Sequence, residues 1–295
     1  MLVGSTVMGE PTYATDLFNL TWPTFGDVGY RSSNFYSEGY NYVGGWVESR
    51  FTLQCLNGPA WHGGIGIYLK GVLAKSSHDE SLWENTVAYG IGAEIRPLST
   101  IERVRNHPWL EWLAHFRIYG EYLKHDFLGN EAEWFPDEDV RTGAEIWKEF
   151  NVDLTSVAMV PPHFHHRLWG ELWWDGSYRR TNFFDEDYDS WRTAVVARFG
   201  LRLSPDIGMG RDIYLMPYVL AEGSLSQQRC FWENRGVVGL GLRVMPFQHA
   251  QTDWLNELRV FAEYHRVACY FKNDAPELIP GNDTRLGLNF SNSWW

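Results

Sequence analysis

Residues 257–265 read Glu257-Leu258-Arg259-Val260-Phe261-Ala262-Glu263-Tyr264-His265. Glu257, Arg259, Phe261, Glu263 and His265 fall on one side of an extended chain. Leu258, Val260, Ala262 and Tyr264 fall on the other. Successive side chains of a strand point to opposite faces, so a period of two marks a strand. Here one face is apolar and aromatic, and the other carries full charges. The pattern recurs over residues 110–124, where Glu111, His115, Arg117, Tyr119 and Glu121 oppose Leu110, Trp112, Ala114, Phe116, Ile118 and Tyr122. It recurs again over 85–97 and 190–204.

Working outward, two short patterns alternate along the chain. One is a glycine-led strand: Gly92-Ala93-Glu94-Ile95-Arg96, Gly143-Ala144-Glu145-Ile146-Trp147, Gly200-Leu201-Arg202-Leu203, Gly241-Leu242-Arg243-Val244 and Gly287-Leu288-Asn289-Phe290. The other is a small residue followed by glutamate: Gly120-Glu121-Tyr122, Gly170-Glu171-Leu172, Ala221-Glu222-Gly223 and Ala262-Glu263-Tyr264. A recurrence every roughly 20–30 residues signals a repeated supersecondary unit, here a β-hairpin.

An apolar face opposite a charged face fits two architectures. In a soluble sandwich the apolar face is the core. In a membrane barrel it meets lipid, and the charged face lines the lumen. The chain has 295 residues, a net charge of −12 and 16% aromatic residues. No linker or composition break divides it, so one domain is expected. No apolar run approaches the ~20 residues of a membrane helix, which says nothing against a barrel. The acidic balance excludes nucleic acid as a partner. Cys55, Cys230 and Cys269 lack the spacing of a metal site or a disulfide framework. Met1 to Gly9 is apolar but lacks the positive n-region of a signal peptide.

The expected fold is all-β: a closed antiparallel transmembrane barrel of about 12 strands in up-and-down order. The segment 1–40 holds a first strand within 12–38, and 41–295 holds the rest of the barrel, all in a single domain. Acidic loops are expected at 125–138 and 176–189, on the extracellular side. Proline-containing turns near 97–108, 204–211 and 246–253 are expected on the periplasmic side.

The terminal strand Leu286-Gly287-Leu288-Asn289-Phe290 resembles the assembly-signal strand of Gram-negative outer-membrane β-barrel proteins. Arg243-Val244-Met245-Pro246-Phe247 and Val260-Phe261-Ala262-Glu263-Tyr264 add a likeness to the barrels of exopolysaccharide-secretion and phage-adsorption proteins. The resemblance implies location in the cell outer membrane, with lipid and lipopolysaccharide as surroundings. It implies transport of a saccharide or other polar solute, or a loop surface for a partner.

The inward face is where function is expected. Arg96, Arg202 and Arg243 alternate with Glu121, Glu171, Glu222 and Glu263. Arg202 to Glu222 and Arg243 to Glu263 span the same sequence distance, which predicts cross-strand pairs at equal depth. Such a ladder either fills and stiffens the lumen or sorts permeants by charge. Trp46, Trp147, Trp169 and Trp173 share this face. Inward indoles beside charges either pack the interior or stack on sugar rings. His163, His165 and His166 read as part of a turn. No metal, cofactor or catalytic residue is nominated. A soluble all-β carbohydrate-binding protein or glycosidase is the rival to both membrane readings.

Overall fold

The computed structural model describes residues 18–33, 40–55, 64–77, 85–99, 101, 104, 107, 110–128, 138–153, 164–184, 186–205, 213–228, 233–247, 253–271 and 281–294. Twelve strands run through them: β1 (Phe18–Ser33), β2 (Tyr40–Cys55), β3 (Gly64–Ser76), β4 (Thr86–Arg96), β5 (Arg117–Phe127), β6 (Glu138–Asp153), β7 (Phe164–Phe184), β8 (Glu186–Pro205), β9 (Tyr214–Ser226), β10 (Arg235–Met245), β11 (Arg259–Tyr270) and β12 (Asn282–Trp294). Each pairs with its sequence neighbours, and β12 closes on β1. Every pairing is antiparallel, including the closing one, where Gly29 faces Gly287 and Arg31 faces Arg285. Closure leaves no edge strand exposed.

The period of two decides which side chain meets which medium. Outward positions carry Ile67, Leu69, Ile91, Val219, Val238, Leu240 and Leu286, all exposed on the barrel's outer wall. Leu240 is 64% exposed, a degree that in water would be a liability and in lipid is solvation. Outward charges such as Lys75, Lys124, Asp126, Arg180 and Arg266 gather near one rim, where β3, β5, β7 and β11 end. The inner wall holds Arg, Glu, Asp, Lys and Tyr, together with an apolar cluster of Trp169, Met216, Tyr218, Leu220 and Met245.

Three expected boundaries are corrected. The strand expected over 109–124 starts at Arg117, because Glu111–His115 is a 3-10 helix. Its turns close by i→i+3 bonds, Leu113 N–H to Leu110 O at 2.9 Å and Phe116 N–H to Leu113 O at 3.1 Å. Alternation over so few residues does not distinguish this turn from a strand. Glu111 and Trp112 are therefore not strand positions. Likewise β11 starts at Arg259, after a short helix at Asp253–Asn256. The loop expected at 176–189 is mostly strand: β7 and β8 stay paired from Phe164↔Pro205 to Phe184↔Glu186. Its acidic composition suggested a loop, yet Ser177, Arg179 and Thr181 continue the inward alternation. The first strand falls inside the interval 12–38. Residues 129–137 of the other acidic loop lie outside the described residues.

The barrel also shows an order larger than the hairpin. Strands six apart match. β1 carries Asp27-Val28-Gly29-Tyr30-Arg31, and β7 carries Asp175-Gly176-Ser177-Tyr178-Arg179. β2 carries Arg50-Phe51-Thr52-Leu53, and β8 carries Arg198-Phe199-Gly200-Leu201. β4 has Gly90-Ile91-Gly92 where β10 has Gly239-Leu240-Gly241. Trp112-Leu113 and Arg117-Ile118-Tyr119-Gly120-Glu121-Tyr122 return as Trp254-Leu255 and Arg259-Val260-Phe261-Ala262-Glu263-Tyr264. β6 holds Asp139-Val140-Arg141-Thr142-Gly143 against Asp283-Thr284-Arg285-Leu286-Gly287 in β12. The barrel is a tandem of two six-strand halves, β1–β6 and β7–β12.

The contacts repeat with the sequence. Tyr68 lies opposite Gly92 and donates to Glu121 at 3.2 Å; Tyr218 lies opposite Gly241 and donates to Glu263. A Cβ on Gly92 would sit 2.2 Å from the Tyr68 ring, and one on Gly241 2.3 Å from the Tyr218 ring. Only glycine leaves each ring its seat. Asn85 accepts from Ser76 N–H at 3.1 Å, and Asn234 from Ser226 N–H at 3.0 Å; both asparagines are fully buried.

Candidate functional site

Ion pairs line the lumen, some between neighbouring strands and some reaching further. Arg243 on β10 reaches Glu171 on β7 at 3.1 Å. Arg198 on β8 lies 3.5 Å from both Glu171 and Glu263, the latter on β11. Arg259 on β11 reaches Glu149 on β6 at 3.4 Å. On the other side, Lys70 sits between Glu121 at 3.1 Å and Glu48 at 3.6 Å. Arg117 bridges Glu94 and Glu145. Two aspartates have no exposed side-chain surface. Asp139 is held by Arg141 at 2.6 Å and Arg179 at 2.9 Å; Asp283 by Arg31 and Arg285, each at 2.8 Å. Buried charges persist only when paired and hydrogen-bonded, which these are.

The nominated residues are placed as follows. Glu121, Glu171, Arg243 and Glu263 point inward and join these networks. Arg96 pairs with Glu94, two residues back on its own strand, at 2.9 Å. Arg202 lies with its guanidinium carbon 3.9 Å from the centre of the Tyr214 ring. Glu222 is on the inward face of β9, opposite Val196 and Val237. The two expected cross-strand pairs do not form. Arg243 faces Phe261, with Glu263 opposite Gly241, so these two are offset by two positions. Glu222 faces Val196, six residues from Arg202. Equal sequence separation gives equal depth only when both residues are equally far from the turn, and here they are not.

All four nominated tryptophans donate their indole N–H to a carboxylate. Trp46 donates to Asp27 at 2.9 Å, Trp147 to Glu171 at 3.2 Å, Trp169 to Glu149 at 2.9 Å and Trp173 to Glu145 at 2.8 Å. Their faces differ. Trp169 is 0% exposed and packs edge-on to Tyr218 with Arg243 above its ring, so a sugar cannot stack on it. Trp46 and Trp147 are 36% and 44% exposed, on the lumen side. Sequence reading did not nominate Lys70, Arg117, Asp139, Arg141, Arg198 or Asp283. The signal was present in Asp139-x-Arg141 and Asp283-x-Arg285, a same-face pair two residues apart on a strand.

A cavity of about 440 Å³ opens beside β1, β2 and β12. Its wall includes Asp27, Gly29, Arg31, Trp46, Arg198, Arg243, Phe261, Glu263, Arg285 and Asn289. Its volume falls in the usual range of small-molecule sites. Among the described residues no group of His, Cys, Asp or Glu could hold a metal ion.

An even strand number, closure within one chain, an apolar outer wall and a charged lumen are together the outer-membrane architecture. The chain is an outer-membrane β-barrel. No family model matches it, and no curated protein matches it. Solved structures similar to it include the β-domain of the Bordetella autotransporter BrkA, 12% identical over 93% of this chain and 99% of that one, with a TM-score of 0.34. OprB of Pseudomonas putida is 7% identical over 94% of each chain, with a TM-score of 0.36. The translocator domain of the autotransporter NalP from Neisseria meningitidis is 11% identical over 91% of this chain and 88% of that one, with a TM-score of 0.29. The assignment to the outer membrane rests on the strand pairing and the two faces, not on these likenesses.

Proposed function

We propose that the barrel is a narrow channel that passes small polar solutes across the outer membrane. The observation that carries this reading is the lumen cavity beside β1, β2 and β12, walled by arginines, two carboxylates and the half-exposed Trp46. Charged walls held at fixed positions select permeants by sign and size. The cavity suits a solute of sugar size, and Trp46 offers it an aromatic face. The pairs Arg243–Glu171 and Arg259–Glu149 link strands that are not neighbours and narrow the lumen, which favours a small solute over an extended polysaccharide.

The same cross-lumen pairs support a second reading: a barrel closed by its own charges, whose rim serves as a binding surface. Conductance separates the two. Purified barrel in a planar bilayer is expected to give small, steady single-channel steps. A sealed baseline overturns the channel and leaves the rim, including the long β7–β8 hairpin, as the functional surface.

A further inference from the structure

The cavity lies at one of two places that the tandem repeat makes equivalent, and at the other, the filled side, Tyr119 and Ser177 close on Asp175. On the filled side, Asp175 accepts from Tyr119 at 2.6 Å and from Ser177 at 2.8 Å. The matching positions on the cavity side are Asp27, Phe261 and Gly29. Phe261 has no hydroxyl to reach Asp27, and Gly29 has no side chain at all. Three further exchanges change the charge. Where the filled side has Glu48, Glu94 and Glu145, the cavity side has Val196, Arg243 and Asn289. Each exchange makes the cavity side more positive. Others run the other way: Leu220, Gly44 and Thr86 stand where the filled side has Lys70, Arg192 and Arg235.

Arg243 thereby joins Arg31, Arg198 and Arg285, whose counterparts on the filled side are also arginines, in a wall of four against the carboxylates of Asp27 and Glu263. Asp283 and Glu171 hold these arginines from outside that wall. The Nε atoms of Arg198 and Arg243 are buried and make no hydrogen bond among the described residues, although the Arg198 Nε lies 3.5 Å from Glu263. A guanidinium has five donors; among the described residues each of these arginines gives one or two to its carboxylates, and Arg31 gives a further one to Tyr42.

We propose that this cavity binds a small solute carrying a carboxylate, with the arginine wall as its recognition element. Arginine suits the task because its planar fork matches carboxylate geometry. Trp46 supplies an apolar face beside the charge. The proposal gives the channel its solute class, but it rests on the cavity and not on conduction.

The test is calorimetric titration of the full chain in detergent with sodium glucuronate and with glucose, which match in ring size and differ in charge. Glucuronate is expected to bind and glucose to give no heat above dilution. Arg198→Gln removes one wall charge while Glu171 keeps Arg243 and Glu263 keeps His265 at 2.9 Å, so the fold is retained. It is expected to weaken glucuronate about tenfold, the loss of one charged hydrogen bond. Phe261→Tyr introduces the hydroxyl of the filled side and is expected to weaken binding with no loss of charge. Equal binding of both sugars, no binding of either, or an Arg198→Gln barrel that folds and binds unchanged would overturn the proposal. A sealed bilayer with intact glucuronate binding sinks the channel and keeps the site. Conduction without glucuronate binding sinks the site and keeps the channel.

Discussion

The halves β1–β6 and β7–β12 share a frame and differ in what fills it. Four features are common to both: a tyrosine seated over a glycine and bonded to a glutamate, an asparagine that accepts from a serine N–H, a fully buried aspartate between two arginines, and a short helix leading into the fifth strand. These contacts tie each strand to its neighbour or to the next strand but one. The differences lie in side chains aimed at the lumen, where Tyr119 becomes Phe261 and Glu94 becomes Arg243. The frame's groups are mutually satisfied and mostly buried, so changes there are expected to cost stability. The lumen tolerates change because space and water can absorb it. The shared contacts therefore report on assembly, and the unshared residues on what distinguishes the cavity from its counterpart.

This comparison is exposed to direct tests, all read as the temperature at which the folded gel band is lost in detergent. The largest effect is expected for Asp139→Ala and Asp283→Ala. Each leaves two partly buried arginines without their shared, fully buried partner, a loss of about 3 kcal/mol. Equal losses support equivalence; a barrel indifferent to one of them breaks it. Next come Gly92→Ala and Gly241→Ala. Each added methyl drives into a tyrosine ring, costing about 1–3 kcal/mol. A smaller shift of about 1 kcal/mol is expected for Tyr68→Phe and Tyr218→Phe, which lose one hydrogen bond and keep the ring in its seat. The smallest belongs to Arg96→Gln, whose partner Glu94 retains Arg117; well under 1 kcal/mol is expected. A large loss there would mean that the rim arginine belongs to the frame.

The class of fold was legible in the sequence because alternation is local. Leu258 to His265 needs no partner to reveal its two faces. Most of the strands followed from the same signal; the first, within 12–38, followed from the even strand number that closure requires. The ends were harder. Glu111–His115 alternates like a strand but turns as a helix, and 176–189 has the composition of a loop but the pairing of a hairpin. Pairing within the lumen was least legible. Arg243 meets Glu171 across the barrel because curvature brings β10 near β7, and nothing in sequence distance encodes that. The six-strand repeat was readable in Trp112-Leu113 and Trp254-Leu255, but short glycine and glutamate patterns recurring every hairpin masked the longer period.

The tandem repeat makes the seam between β12 and β1 equivalent to the junction between β6 and β7. In β12–β1 as in β6–β7, an Asp-x-Arg strand lies beside an Asp-x-x-Tyr-Arg strand. A circular permutant that joins β12 to β1 by a linker and opens between β6 and β7 would keep every strand pair. By the same symmetry, two copies of a six-strand chain could close one barrel between them, an arrangement from which a fused gene of this kind can arise.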